Sequence, residues 1–225
     1  MRSDELAQRW LAPDLGRLWE VATVLRVRRD GSDAATLRLE LPEPAHFAAG
    51  QYYLVRMRVD AAPGAFANRK DEFTSRNTRI IGVSVDSVES HKNWSVDIAE
   101  TQGRGLNYPL VVDEDRTVAN LYGMIHPKAL ETATVRTVFI IGPDKKVKLT
   151  LTYPASVGRN IDEILRVLDA LQLTTGYSVS IPVDWKQGGE VITSPVISDE
   201  DAKTKFPKGF RTLKPYLRLT PQPDA

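Results

Sequence analysis

Residues 135–173 read VRTVFIIGPDKKVKLTLTYPASVGRNIDEILRVLDALQL, and they constrain the fold more than any other stretch. Residues 137–141 are a β-rich apolar run, and 146–152 alternates Val147, Leu149 and Leu151 with Lys148 and Thr150. That period-2 pattern predicts two strands, each with a covered face. Gly142-Pro143-Asp144 between them is turn chemistry, with Pro143 suited to the second turn position, so the pair is expected to be a hairpin. Asn160 can cap the helix that follows, with Glu163 three residues later. Ile161, Ile164, Leu165, Leu168 and Leu171 then recur at helical spacing, which predicts one stripe facing a sheet. Strand, strand, helix is the closing half of an α/β domain.

The chain ahead of it supplies further elements. Residues 68–77 look like the last turns of a helix, and 79–85 a buried strand through Ile80, Ile81, Val83 and Val85. Ser87 can cap a helix reaching Thr101, with Val88, His91, Trp94 and Ile98 on one stripe. Leu110, Val111 and Val112 form a short strand, and Asp113 to Asp115 open another short helix that Gly123 ends. Alternating strands and helices predict a sheet packed by helices. After Leu173 the chain is Pro-rich and weakly periodic, with Trp185, Phe206, Phe210 and Tyr216 spaced along it. Such an arm is expected to cover its aromatics on the main domain or on a partner subunit.

Residues 1–65 differ in composition from the rest, holding nine arginines, eleven alanines and no lysine, whereas 66–225 hold eleven lysines. The shift predicts a boundary, with 61–64 (Ala-Ala-Pro-Gly) as linker. Residues 4–10 fit a short helix and 13–16 a turn, while 19–28, 35–41 and 51–59 read as three strands of an antiparallel meander. The expected division is 1–65, 66–174 and 175–225.

With 42% apolar and 26% charged residues the composition is that of a globular protein. A formal net charge of +1 offers no bulk attraction for nucleic acid or an acidic membrane. No apolar run approaches a membrane span and MRSDELAQRW lacks the apolar core of a signal peptide, so neither nucleic acid nor membrane is an expected partner and the cytoplasm is the expected location. Cysteine is absent, which excludes disulfides, thiolate nucleophiles and cysteine metal sites.

RNTRIIGVSVDSVESHKNW, the 135–173 stretch, PVDWKQG, FPKGF and KPYLRLTPQP closely resemble, in that order, the one-cysteine peroxiredoxins, thiol peroxidases of the thioredoxin fold. The resemblance covers residues 68–223 and implies a thioredoxin-like α/β domain whose C-terminal arm wraps the other half of a homodimer. It stops short of the reactive centre. In the family a Pro-x-x-x-Thr-x-x-Cys run presents the thiolate; an ungapped alignment on Phe73, Arg76 and Asn77 puts that position near Val59, where the motif is missing. Nearby Met57 gives only a sulfoxide, stoichiometrically. Residues 19–57 resemble the start of the flavin-binding barrel of ferredoxin reductases, but AAPGAFANRKDEF stands where that family's Arg-x-Tyr-Ser/Thr motif belongs.

The resemblance assigns Arg136 to the family arginine that contacts thiolate and peroxide, and Arg159 to a second arginine near the same pocket. Two guanidiniums without a thiolate favour an anion such as phosphate, sulfate or a carboxylate. No cofactor and no metal are implied: His46, His91 and His126 lack ligand spacing and fit surface or packing roles, as Asp113, Glu114 and Asp115 fit a helix start. Lys145, Lys146 and Lys148 fit a solvated hairpin tip. Three functions follow: a peroxide-scavenging oxidoreductase by descent that is inactive as a thiol peroxidase, a non-catalytic interaction protein pairing with itself or with active peroxiredoxin subunits, and a flavin-dependent reductase fragment.

Overall fold

The computed structural model describes residues 10–14, 17–20, 23–29, 35–40, 52–57, 63–125, 135–154 and 156–224. They belong to two compact units, Met1–Arg159 and Asn160–Ala225. Among the described residues no helix is long and apolar enough to cross a membrane.

The first unit runs β1 (Trp10–Asp14), β2 (Arg17–Glu20), β3 (Thr23–Arg29), β4 (Ala35–Glu40), β5 (Tyr52–Met57), α1 (Pro63–Asn68), α2 (Lys70–Ser75), β6 (Thr78–Ser84), α3 (Val88–Gln102), β7 (Leu110–Val112), α4 (Thr117–Leu121), β8 (Arg136–Ile141) and β9 (Val147–Tyr153). Seven of these strands make one mixed sheet in the order β2-β1-β7-β6-β5-β8-β9. The parallel step from β6 to β7 needs a crossover, which α3 supplies. Ser87 caps α3 by accepting from the Ser90 amide, and Gly103, at φ 76°, ends it in the left-handed conformation that favours glycine. Gly82 is required by close approach: a Cβ there would stand 2.5 Å from Leu110 Cδ1 on the neighbouring strand.

The expected meander is only partly present. β3 and β4 pair with each other alone, as a two-stranded antiparallel sheet. The 19–28 strand is divided between β2 and β3. Its third member, β5, joins the large sheet instead, between β6 and β8. There it pairs with β6 in parallel, not antiparallel as a meander strand does, from Tyr52↔Thr78 to Met57↔Val83. Connectivity explains this: α1 and α2 carry the chain back before β6 begins, and a returned chain enters parallel. The expected linker is also corrected, because Pro63 and Gly64 open α1, where a proline's fixed φ and missing N–H cost nothing. Of the expected 4–10 helix, Trp10 begins β1 and the rest lies outside the described residues, as do 15–16 of the expected turn.

One core cluster of this unit joins Val83, Val111, Val118, Ala119, Met124 and Phe139, with Tyr122 meeting Phe139 edge-on at 5.0 Å between centroids. Asp113 is 0% exposed beneath it. Its carboxylate accepts from the amides of Val118 at 2.9 Å and Ala119 at 2.7 Å, so it caps α4 from the end of β7. The hairpin stands as expected, and Lys145 takes φ 61° at its turn.

The second unit holds α5 (Ile161–Gly176), β10 (Val179–Ser180), β11 (Val191–Thr193), α6 (Asp199–Lys205), β12 (Arg211–Lys214) and β13 (Leu217–Thr220). Asn160 caps α5 through the Glu163 amide, while the Glu163 carboxylate turns to Arg166 at 2.6 and 2.8 Å. Of the expected stripe Ile164, Leu165 and Leu168 are buried and Ile161 and Leu171 half-buried, and Leu173 is buried besides. The four strands form an antiparallel sheet in the order β10-β11-β13-β12. Two of the arm's aromatics are covered within this unit, partly on α5, which the expected division places in the main domain. Trp185 and Phe206 are buried in a cluster with Leu173, Val179, Val191 and Ala202, all of this unit. Arg218 ties it together, donating to Asp199 at 2.6 Å and to the carbonyls of Ser194 and Ile197. Tyr216 stays 71% exposed.

Candidate functional site

Arg136 is the first residue of β8 and pairs with Tyr153, the last of β9, so it stands at the open end of the hairpin. Beyond β9 the chain turns at once, the Val157 amide donating to the Pro154 carbonyl at 3.0 Å. This return brings Val157 against Arg136, whose Nη1 donates to the Val157 carbonyl at 3.0 Å. Arg159 follows two residues later. The structure thus places Arg136 at the open end of the hairpin and Arg159 two residues beyond the carbonyl that Arg136 binds. Both are half-buried, with Arg136 Nε and Arg159 Nε and Nη1 inside the surface.

β5 leads to this end. β5 runs antiparallel to β8, and Arg56 pairs with Val138, two residues from Arg136. The aligned cysteine position, Val59, lies outside the described residues. A guanidinium keeps its charge at any accessible pH, so neither side chain can act as acid, base or nucleophile.

His46 and His126 lie outside the described residues, and among those described no three His, Asp or Glu side chains are placed to hold a metal. His91 is 1% exposed in the first turn of α3, a packing position. Lys145, Lys146 and Lys148 are exposed at the hairpin tip, and Lys148 pairs with Asp144 at 2.7 Å, holding that carboxyl below its usual range. Two things could not be read from the sequence. The Val157 carbonyl that fixes Arg136 is a backbone acceptor with no residue signature, and the buried Asp113 is indistinguishable in the sequence from its exposed neighbours Glu114 and Asp115.

Residues 60–150 match the AhpC/TSA family and residues 170–209 the C-terminal domain of 1-Cys peroxiredoxin. The chain is 54% identical over 161 residues to 1-Cys peroxiredoxin of Dictyostelium discoideum, covering 72% of this chain and 67% of that protein. It is 47% identical over 173 residues to peroxiredoxin-6 of Rattus norvegicus, covering 71% and 77%. A solved relative, a Cys→Ser mutant of peroxiredoxin 6 from Arenicola marina, superposes with a TM-score of 0.71 at 38% identity, over 78% of this chain and 87% of that one. With its thioredoxin-like α/β fold and its sequence relatives both of that kind, the chain belongs to the peroxiredoxin family of antioxidant oxidoreductases.

Proposed function

We propose that this polypeptide acts by association and not by peroxide turnover. It is a peroxiredoxin body that pairs with itself, or with a cysteine-bearing relative, through residues 175–225, and that keeps an oxyanion pocket at Arg136 and Arg159. The observation that carries this reading is a sequence with no cysteine at all in a chain that retains the family's core and C-terminal matches. A thiol peroxidase reaction needs a thiolate to attack the peroxide, and no side chain here replaces it. Association is supported by the second unit's surface. Leu213 is 43% exposed, Tyr216 71%, Val183 88% and Val196 92%, apolar area of the kind partners cover.

Three measurements test the parts separately. Peroxide consumption with a thiol reductant is expected to match the buffer control; saturable turnover refutes the loss of peroxidase activity. Native mass spectrometry of the chain mixed with the Dictyostelium discoideum relative is expected to show mixed dimers. Strict self-association removes the mixed-partner arm only. Phosphate or sulfate is expected to raise the melting temperature beyond an ionic-strength control, and Arg136→Gln with Arg159→Gln to abolish the rise. No rise in the unaltered chain refutes the pocket.

A flavin reductase is the competing reading. It is disfavoured because β5 leaves β3 and β4 for the large sheet, so the three strands that resemble a barrel's start do not lie together.

A further inference from the structure

His91 stands in the first turn of α3, its amide donating to the Ser87 carbonyl at 3.1 Å, and it is 1% exposed. Both ring nitrogens are buried, with no hydrogen-bond partner among the described residues. Asp86 Oδ2 lies 4.0 Å from Nε2, beyond hydrogen-bond reach, and already accepts from Ser84 Oγ at 2.7 Å. Among the described residues the charged groups facing the ring are Asp86, in the β6–α3 connection, and Glu114, after β7; both favour an imidazolium. Burial opposes it and dominates, so the ring titrates below its ordinary value. The amide dipoles of the helix start oppose it as well. With no acceptor among the described residues for a second N–H, the buried ring holds an added proton poorly.

We propose that His91 is an acid latch: its protonation releases the first turn of α3, exposing the ring and freeing the amides of Ser90 and His91. The direction follows from linkage. The closed ring's pKa lies below the ordinary 6.5 and the opened ring regains it, so opening takes up a proton. The closed turn therefore keeps its full stability above 6.5 and loses it as pH falls below that value.

Hydrogen exchange at these two amides, corrected for the intrinsic rate, reads the latch. Between about pH 7.5 and about pH 5.5 the opening constant is expected to rise by up to ~10-fold, the limit for one such group. The rise is expected to be confined to the first turn of α3 and to vanish in His91→Phe. A rise that is uniform over the molecule, or unchanged in His91→Phe, overturns the proposal. Should that variant fail to fold, the unaltered chain decides: a rise in exchange at the two amides that follows the NMR titration of the His91 ring supports the latch, and a rise that does not follow it overturns it.

Discussion

Replacing Asp113 by alanine tests how the first unit is held together. The carboxylate is 0% exposed and accepts from the amides of Val118 at 2.9 Å and Ala119 at 2.7 Å. Both residues are themselves 0% exposed and belong to the cluster with Val83, Val111, Met124 and Phe139, so water cannot replace the lost acceptor. Each charge-assisted bond contributes about 1.5–3 kcal/mol, and the two together set the cost of Asp113→Ala at about 3–6 kcal/mol. A domain's whole stability is about 5–15 kcal/mol, so the loss is a large part of it. Asp113→Asn sharpens the test. Its amide offers one acceptor and one donor to two N–H groups, so about 2–4 kcal/mol is expected even though the shape is kept. Urea unfolding followed by circular dichroism measures both, with equal m-values required for comparison. If both variants lose less than about 1 kcal/mol, Asp113 does not hold the start of α4 and its burial has another cause.

Three further outcomes are expected from the same assay. Lys145 sits at φ 61° with its side chain exposed, so Lys145→Gly relieves strain and is expected to stabilise by about 0.5–1 kcal/mol; a loss contradicts it. Gly82→Ala places a Cβ 2.5 Å from Leu110 Cδ1 and is expected to destabilise by about 1–3 kcal/mol, with a neutral result showing that Leu110 can move aside. Arg218 is 5% exposed and bound to Asp199, Ser194 and Ile197, so Arg218→Met is expected to cost about 2–4 kcal/mol and to loosen the C-terminal sheet. An unchanged midpoint contradicts that role.

The parts of the fold that could be read from the sequence are those governed by local rules. The hairpin showed itself through alternation and Pro143, and α3 and α5 through Ser87, Asn160 and their apolar stripes; all stand close to the expected bounds. What escaped reading depends on contacts distant in sequence. The place of β5 is set by pairing with both β6 and β8, and its direction by the α1–α2 return, neither of which alternation encodes. The C-terminal strands have two to four residues each, too short for a period, so their shared core around Trp185 and Phe206 was invisible. At the site, Arg136 and Arg159 came from family motifs, because an arginine's own neighbourhood says nothing of its role. The bond from Arg136 to the Val157 carbonyl emerges only once the chain has turned at Pro154.

Sedimentation equilibrium over a wide concentration range addresses the central claim, that a peroxiredoxin body without its thiol still assembles through its arm. The expected result is a single species at twice the 25.1 kDa chain mass, persisting on dilution. A monomer at every concentration, or masses that climb without limit as an open sheet edge recruits further chains, contradicts the claim.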